Sequence, residues 1–411
     1  MTEREANRPA PTGPVLVVNC GSSSIKYQLL AQAPEERLAV GMLERIGDAR
    51  AELRHHGAAG ETAREVDAPD HRAGFAHIGA ALREDRPAAL AAVGHRVVHG
   101  GERFRAPTLV DAGVREAIRA LAVLAPLHNP ANLVGIEACA SAFPGVPQVA
   151  VFDTAFHQTL PPHAFRYAVP EAWYRDHGVR RYGFHGTSHR WVAERAAEAL
   201  GRPLAALRLV TLHLGNGASA AAIAGGRCVD TSMGLTPLEG LVMGTRSGDL
   251  DPAVPLFLQR AAGLGAAEVD ALLNEQSGLR GLCGSNDMRE VLAREAAGDE
   301  RARLALAVYV HRLRKCIGAY LAVLGGLDAL VFTGGVGENA ARVRELACAG
   351  LERLGIALDG ARNAAAQDSL GEIGAAGAPV RVLVVRTDEE LQIARETLAV
   401  LRGRTNGGTN A

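Results

Sequence analysis

The sequence predicts an α/β fold built from two copies of one unit. Short apolar strands alternate with helix-forming segments along the 411 residues, which is the pattern of an α/β protein. The stretch "VLVVNCGSSSIKYQLL", residues 15–30, has the order strand, Gly/Ser turn, strand, and "RLVTLHLGNGASAAAIAGG", residues 208–226, repeats that order. We therefore expect a duplicated fold with a cleft between its halves.

The opening stretch indicates a hairpin. Residues 15–18 form an apolar run, and from Ile25 to Leu29 apolar side chains alternate with polar ones, as in two strands. Because Lys26 then lies on a strand, the usual P-loop, which opens a helix, is excluded. Two interpretations remain: an ordinary hairpin, or a phosphate-binding hairpin in which Gly21 exposes backbone N–H groups and the serines add donors.

Lysine usage bears on this choice. The chain contains 44 lysines and arginines together, yet only Lys26 and Lys315 are lysines. A lysine retained in a Gly/Ser loop suggests that a compact charge is needed there rather than a planar guanidinium.

Capping residues predict the main helices. Asp111 precedes one helix, and Asn129 is the expected N-cap of the next, with Pro130 at its first position. Asp287 precedes a further helix, which allows it to be simply an N-cap. The longest helix is expected to end at Gly325.

Two further helix starts are predicted near glycines and acids. "ALVFTGGVGENAARVRE", residues 329–345, indicates a strand, a Gly-rich turn and a helix beginning near Asn339, whose N-terminus suits an anion. Thr387 and Glu390 have the T-x-x-E spacing of a capping box, which is expected to begin the last helix.

Composition excludes several classes of protein. A net charge of −1 offers no basic surface for nucleic acid or an anionic membrane, and the six cysteines contain no C-x-x-C pair. No apolar run reaches the roughly 18 residues that a membrane helix requires. We expect a soluble cytoplasmic protein with a disordered extension at residues 1–14 and a disordered tail at 403–411.

The three Gly-rich turns, in this order, resemble the sugar-kinase/actin/chaperone ATPase superfamily. Over roughly residues 15–400 the chain is similar to the acetokinase family, through the motifs "GHRVVHGGERF", "APLHNPANL", "FDTAFH", "YGFHGTSH", "HLGNGAS", "TPLEGLVMGTRSGDLDP", "SGLRGLCGSNDMR" and "FTGGVGEN". The resemblance implies two RNase H-like domains, residues 15–157 with 391–402 and residues 158–390, closing over ATP and a carboxylate. It further implies a homodimer that reversibly transfers the γ-phosphoryl group of ATP to acetate, giving acetyl phosphate and ADP.

The resemblance also assigns catalytic residues. Arg96 is expected to bind the substrate, His185 to donate to the phosphoryl group in flight, and Arg246 to stabilise that group. Asp153 is the family's active-site carboxylate. Acetate has a pKa near about 4.3 and is already ionised at neutral pH, so no proton needs removal. We therefore expect Asp153 to act electrostatically, orienting Arg96 or a metal-bound water.

Binding residues follow from the same motifs. The small-acid pocket is expected to contain Val98, Leu127, His128, Phe184 and Pro237. The nucleotide is expected to contact Lys26, His213, Leu214, Gly215, Asn216, Gly217, Asp287, Met288, Arg289, Gly335, Val336, Gly337, Glu338 and Asn339.

The metal is expected to be Mg²⁺, or alternatively Mn²⁺, held by Asn19 and Glu389. Glu389 is preferred because Glu390 is assigned to the capping box. Asp388 stands where the family usually has Asn and adds an acid near this metal. The i,i+4 pairs formed by His95 with His99 and by His185 with His189 do not indicate zinc, and His189 is expected to be structural.

Other functions compete with this one. A propionate or butyrate kinase would have the same fold, although Val98 favours acetate as the acceptor. An actin-like switch ATPase would have no use for Arg96, Asp153 and Arg246. A sugar kinase could use Asp153 as a base, but would not form an acyl phosphate.

Overall fold

In this computed structural model the chain is described over residues 12–33, 35–85, 89–366 and 370–403. Most of the predicted extension at 1–14 and of the predicted tail at 403–411 lies outside these ranges. The chain divides into two compact units. Unit 1 comprises the residues up to Ala155 together with those from Asp388 onward, and unit 2 comprises Phe156–Thr387.

Unit 1 contains one mixed sheet and four helices within the described residues. The strands are β1 Val15–Cys20, β2 Ser24–Leu30, β3 Arg37–Glu44, β4 Ala51–Gly57, β5 Gly60–Val66, β6 Ala92–Val97, β7 Thr108–Leu109 and β8 Gln148–Phe152. Their order is β5-β4-β3-β2-β1-β6-β8-β7. The helices are α1 His71–Glu84, α2 Ala112–Ala120, α3 Asn129–Ala142 and, after unit 2, α15 Glu389–Leu401.

Unit 2 contains a second mixed sheet. Its strands are β9 Arg208–Leu214, β10 Ala218–Ala224, β11 Arg227–Thr231, β12 Ala329–Thr333, β13 Leu370–Glu372 and β14 Arg381–Val385, in the order β11-β10-β9-β12-β14-β13. Its helices are α4 Pro162–Phe165, α5 Glu171–His177, α6 Gly186–Ala199, α7 Ala253–Ala262, α8 Ala266–Glu275, α9 Gly278–Cys283, α10 Met288–Ala296, α11 Glu300–Leu324, α12 Gly334–Asn339, α13 Ala341–Cys348 and α14 Gly360–Ala365. Across the described part of the chain, every helix is too short or too polar to cross a membrane.

The two sheets have one topology. The segments β3-β2-β1-β6-β8-β7 and β11-β10-β9-β12-β14-β13 match strand for strand. In each, a hairpin and a third strand pair antiparallel, two further strands add parallel to the first, and the edge strand is antiparallel. This is an RNase H-like order, and the prediction of a duplicated α/β fold is confirmed.

Burial explains why β1 is apolar on both faces. Val15 and Val17 pack with Ile393 and Leu398 of α15. Leu16 belongs to the cluster on the opposite face of the sheet, which includes residues of α1 and α3. A central strand covered on both sides loses the alternating pattern of a half-exposed strand. The second strand of the hairpin, β2, keeps that pattern from Ser24 to Gln28.

Several predicted caps are confirmed. The Asp111 carboxylate accepts a hydrogen bond from the N–H of Val114 at the start of α2, and Asp287 caps α10. Gly325 ends α11 in the left-handed conformation, with φ of 64°.

The N-cap predicted at Asn129 is wrong, because this residue is already the first residue of α3 and His128 occupies the cap position. The Asn129 side chain is buried and binds the backbone of His99, accepting from its N–H at 3.1 Å and donating to its carbonyl at 3.0 Å. A partner 30 residues away therefore takes the group that would have capped the helix.

One of the last two predicted helix starts is confirmed and the other is corrected. The helix predicted to begin near Asn339 is α13, which begins at Ala341, but the Gly-rich turn before it is itself helical and forms α12. The capping box of Thr387 and Glu390 does not form. Asp388 is the N-cap of α15, accepting from the N–H of Leu391, and the Thr387 hydroxyl lies 2.8 Å from that of Ser188.

Candidate active site

In unit 1, the carboxyl end of β6 and the residue after β8 meet the first turn of α15. Arg96 binds Asp153 through two contacts, Nη2 to Oδ2 at 2.5 Å and Nε to Oδ1 at 3.1 Å. Glu389 approaches the same guanidinium, with Oε2 3.8 Å from Nε of Arg96. Only 1% of the Asp153 side chain is exposed, so this carboxylate can orient Arg96 without facing solvent.

Burial dominates the electrostatics of this group. It raises the pKa of Asp153, and Glu389 raises it further, while Arg96 opposes both. Burial also acts to lower the pKa of Arg96, but the charges of Asp153 and Glu389 outweigh it and the net change is upward. Arg96 therefore stays a fixed cation, held in place by one buried carboxylate.

Asn19 reaches the same face of the sheet. Val18 pairs with His95 in the parallel register of β1 and β6, so Asn19 is level with Arg96. Arg96 in turn pairs with Val151 of β8, and Asp153 lies two residues further along the chain. Side chains at matching positions of parallel neighbours point to one side, which places all three on the side covered by α15.

These donors suit a hard cation that brings most of its own ligands. An amide oxygen and carboxylates are the ligand types that Mg²⁺ prefers. Among the residues that the structure describes, no three His, Cys, Asp or Glu side chains group closely enough to hold a metal on their own. A metal that retains water and phosphate oxygens, with few protein ligands, fits this set.

The three predicted acyl-pocket residues of unit 1, Val98, Leu127 and His128, differ in burial and surroundings. Val98 is buried, and its N–H donates to the Asn132 side chain at 3.1 Å. His128 lies near enough to Asp153 for its charge to lower the pKa of that carboxyl, against the larger effect of burial. Leu127 is 70% exposed.

In unit 2, His185 and Arg246 flank the turn between β9 and β10. A Cβ atom added to Gly217 would lie 3.5 Å both from Nη1 of Arg246 and from Nε2 of His185. Arg246 donates to the Pro237 carbonyl at 3.1 Å. In the described ranges no carboxylate lies within 4 Å of it, and burial lowers its pKa. Arg246 is thus a partly buried cation with no anionic side chain beside it among the described residues.

His185 has an unusual backbone. It occupies the N-cap of α6 in the left-handed region, with φ of 57°, which is uncommon for a residue other than glycine. Its Nδ1 lies 2.9 Å from Oγ of Ser219, and its ring stacks on that of His213 at 4.3 Å between centroids. These contacts fix the direction in which the imidazole points.

A cavity of about 580 Å³ in unit 2 gathers most of the predicted nucleotide residues. Those in its wall are Gly215, Asn216, Asp287, Met288, Arg289, Gly335, Val336 and Asn339. The wall also contains six residues that sequence reasoning missed, namely Gly244, Leu279, Asn286, Leu292, Tyr309 and Ala340. Leu292 and Tyr309 lie outside the quoted motifs, and only the fold brings them here.

Other predicted nucleotide residues lie outside this wall. His213 and Leu214 are the last residues of β9, Gly217 lies in the turn that follows, and Gly337 belongs to α12. Leu214 is fully buried. The Glu338 carboxylate accepts from the N–H groups of Gly334 and Thr387, at 3.0 Å in each case. Asp287 fits both interpretations of its sequence context, as an N-cap and as a nucleotide residue. It caps α10 and pairs with Arg289, and it also lines the cavity.

Lys26 belongs to unit 1. It is exposed on β2 and pairs in register with Asn19 of β1. Across the described residues, no carboxylate lies within 4 Å of its ammonium group. The hairpin that carries it is confirmed, and its contact with phosphate stays a prediction. Phe184, by contrast, is 2% exposed in unit 2, where its carbonyl accepts from His157.

The fold and these groups define a class of protein. Two RNase H-like units carry fixed arginines, and one of them has a Gly-lined cavity near an arginine with no carboxylate partner in the described part of the chain. This arrangement is that of a phosphotransferase acting on a nucleotide.

The chain belongs to the acetokinase family, whose model matches residues 14–395. It is 58% identical to an acetate kinase of Leifsonia xyli over 388 residues, covering 93% of this chain and 98% of that one. The crystal structure of Porphyromonas gingivalis acetate kinase matches with a TM-score of 0.91 at 46% identity, covering 95% and 100% of the two chains. A propionate kinase from Francisella tularensis matches with a TM-score of 0.89 at 42% identity, covering 94% and 99%. The predicted family is confirmed, and with it a kinase that uses ATP and a divalent metal.

Proposed function

We propose that this enzyme reversibly transfers the γ-phosphoryl group of ATP to acetate, giving acetyl phosphate and ADP. The observation that carries the proposal is the setting of Arg246, a partly buried guanidinium beside His185 with no carboxylate partner in the described residues. Burying a cation without an anion is costly, and a bound phosphoryl group removes that cost. Family membership supports the nucleotide and the acceptor.

Unit 2 handles the nucleotide and the group in transfer. The base and ribose occupy the cavity lined by Gly215, Met288 and Val336. Arg246 and Nε2 of His185 donate to the equatorial oxygens of the phosphoryl group, where negative charge is spread in the transition state. Donors that are already oriented need no reorganisation during the step, which is the usual source of such stabilisation.

Unit 1 handles the carboxylate. Arg96 binds the acetate oxygens, since a guanidinium matches a carboxylate in shape and charge. Asp153 holds that guanidinium through two hydrogen bonds and has no proton to remove from an ionised acid. An acetate oxygen is the nucleophile, and the bond from the γ-phosphorus to the bridging oxygen of ADP breaks as the new P–O bond forms.

The divalent metal of the reaction is Mg²⁺, which Mn²⁺ can replace. Asn19 and Glu389 would hold it from unit 1, where amide and carboxylate oxygens share one face. When bound, the cation neutralises charge on the β- and γ-phosphates. Lys26, on the strand beside Asn19, adds a positive charge toward the same phosphates.

Acetate is the preferred acceptor in this proposal, with propionate as a poorer one. Val98, which is buried in unit 1, limits the acyl pocket. One extra methylene changes binding by only about 1–3 kcal/mol, so a pocket of this kind slows propionate without excluding it. The structural likeness to a propionate kinase keeps that acceptor as the second candidate.

We further propose a cytoplasmic homodimer. All six cysteines are free, which suits a reducing compartment. The apolar helix α7 has no buried residue, and Leu256 and Phe257 on it are more than half exposed. An apolar helix in this state is suited to covering by a second copy.

Hydroxylamine trapping tests the function directly. Acyl phosphates react with hydroxylamine to give hydroxamates, whereas sugar phosphates do not. The enzyme is incubated with MgATP and, in parallel, acetate, propionate, butyrate or glycerol. We expect hydroxamate with acetate, less with propionate and none with glycerol. Hydroxamate that is highest with propionate would change the acceptor, and none with any acid would overturn the proposal.

A further inference from the structure

A chain of polar side chains runs behind His185 in unit 2. Oγ of Ser219 lies 2.9 Å from Nδ1 of His185 and 2.8 Å from Nε2 of His189. Nδ1 of His189 in turn lies 2.7 Å from Oγ1 of Thr211. We call Thr211, His189 and Ser219 the relay. All three residues are fully buried.

The fold brings the relay together from three elements. His185 and His189 lie one turn apart at the start of α6, with the N–H of His189 donating to the carbonyl of His185. Thr211 belongs to β9, and Ser219 belongs to β10, directly opposite His213. The expectation that His189 is structural is therefore incomplete, because its ring connects a core hydroxyl to an active-site imidazole.

If the hydroxyl hydrogen of Ser219 is donated to one of the two imidazoles, hydrogen-bond counting leaves the relay two consistent states. His189 is neutral, since burial holds its pKa well below the ordinary range, so one ring nitrogen donates and the other accepts. In the outward state, Thr211 donates to His189, His189 donates to Ser219, and Ser219 donates to Nδ1 of His185. The proton of His185 is then on Nε2. In the inward state every bond is reversed, and Nε2 carries a lone pair.

The proposed phosphoryl transfer requires the outward state. Nε2 faces the same turn as Arg246, and a permanent cation nearby disfavours a second positive charge on the imidazole. A neutral His185 can donate to a phosphoryl oxygen only if its proton is on Nε2. Nδ1 must then accept, and the relay provides the donor for it.

We propose that Thr211, His189 and Ser219 are positioning residues that hold neutral His185 with its proton on Nε2, directed at the transferring phosphoryl group. This inference rests on the proposed phosphoryl transfer. The relay itself does not touch substrate, and it acts only through the tautomer of His185.

Paired substitutions at Thr211 separate this role from packing. Thr211→Val keeps the shape and removes the hydroxyl, whereas Thr211→Ser keeps the hydroxyl and removes a methyl group. We expect Thr211→Val to lower kcat about tenfold, the equivalent of one lost hydrogen bond, with the KM for ATP and for acetate within about twofold. Thr211→Ser is expected to stay close to the wild type. Thr231→Val is the matched control, because it removes a buried hydroxyl that, among the described residues, donates to the Ala220 carbonyl and to no other group.

The tautomer can be read without any turnover. The ¹⁵N chemical shifts of an imidazole distinguish a protonated from an unprotonated ring nitrogen, and the His185→Gln spectrum assigns the signals. We expect the proton on Nε2 in the wild type and in Thr211→Ser, and a shift toward Nδ1 in Thr211→Val and Ser219→Ala. Should Thr211→Val not fold, Ser219→Ala decides alone.

The outcomes distinguish the relay from the proposed function. An unchanged His185 tautomer in both hydroxyl-deleted variants, or a slower Thr211→Ser than Thr211→Val, would overturn the relay while acetate kinase activity remained. Loss of hydroxamate formation by the wild-type enzyme would overturn the function instead, whatever the spectra show.

Discussion

At the scale of single residues, two arginines with related tasks have opposite electrostatic settings. Arg96 is bound by Asp153 through two hydrogen bonds, so its charge is compensated before any substrate arrives. Arg246 touches the Pro237 carbonyl and the Met243 sulfur, and burial lowers its pKa. Removing either arginine should cost activity, but only one removal leaves a buried charge behind.

We expect Arg96→Leu and Arg246→Leu each to lower kcat at least a hundredfold, or by about 3 kcal/mol, as for other fixed donors at developing charge. Their stabilities should differ. Arg96→Leu leaves the buried Asp153 carboxylate without its guanidinium partner and should lower the free energy of unfolding by roughly 3 kcal/mol. Arg246→Leu should leave the free energy of unfolding unchanged or raise it. Steady-state kinetics and urea unfolding measure both effects.

The double variant Arg96→Leu, Asp153→Asn serves as the control for this pair. It should recover much of the lost stability while activity stays low. Equal destabilisation by both single arginine variants would contradict the difference in setting, and near-normal kcat in either folded variant would contradict its role.

Lys26 gives a second test at this scale. Because the side chain is exposed on β2, Lys26→Met should leave the melting temperature within a few degrees while raising the KM for ATP or lowering kcat. Lys26→Arg is sharper in a chain that has only two lysines. We expect it to impair ATP use more than acetate use, since a guanidinium is larger than an ammonium. Full activity of Lys26→Arg would make the opening stretch an ordinary hairpin.

At the scale of elements, the start of α15 has a capping acid, Asp388, next to the acid proposed to bind the metal, Glu389. Asp388 caps the helix, and its side chain also pairs with the half-exposed Arg37. Asp388→Ala should lower the free energy of unfolding by about 1 kcal/mol, as for other lost N-caps. Asp388→Asn should keep most of the stabilisation that the cap provides. Exposed ion pairs contribute little, so the loss of the contact with Arg37 matters less.

Glu389→Ala is the contrasting change in the same turn. We expect it to raise the Mg²⁺ concentration needed for half-maximal activity, with little effect on stability. A magnesium titration of both variants checks this. If Asp388→Ala shifts the magnesium requirement more than Glu389→Ala does, the two acids have been assigned the wrong way round.

Local sequence was sufficient for elements whose partners are local. The β1–β2 hairpin, the cap at Asp111 and the end of α11 at Gly325 all follow from residues within one turn. It failed where a distant partner competes. The Asn129 side chain is hydrogen-bonded to the backbone of His99. The Thr387 hydroxyl is hydrogen-bonded to that of Ser188, which is 199 residues away in the chain.

The candidate site also contains some residues that the sequence could indicate and others that it could not. Arg96, Asp153, His185 and Arg246 could be assigned because they stand in motifs that resemble those of the family. The cavity wall contributed by Tyr309 of α11 has no such context, since an apolar residue in a long helix is indistinguishable from an ordinary core residue.

At the scale of the whole molecule, buried histidines make stability depend on pH. His95 in unit 1 and His157 in unit 2 are both buried, and burial lowers the pKa of each to about 4. An unfolded histidine titrates near about 6.5. Between these values the unfolded chain takes up protons that the folded chain does not, so the free energy of unfolding falls as the pH falls.

This effect amounts to at most about 1.4 kcal/mol per pH unit for each histidine. Burial raises the pKa of Asp230 and of Asp249, which changes stability in the opposite direction as these groups take up protons. The dependence of the wild-type unfolding free energy on pH therefore combines both effects. A histidine variant is needed to isolate the contribution of the buried histidines.

We expect His95→Gln to flatten the fall in unfolding free energy between pH 6.5 and 4, compared with the wild type, because a glutamine takes up no proton in either state. Urea unfolding at intervals of half a pH unit measures the slope. His56→Gln, on the exposed side of β4, is the control and should leave the slope unchanged. His95→Gln can lower stability at neutral pH through lost packing, but that offset is constant with pH. Parallel curves for wild type and His95→Gln would show that His95 is protonated in the folded chain at an ordinary pH, and would contradict its burial as a neutral ring.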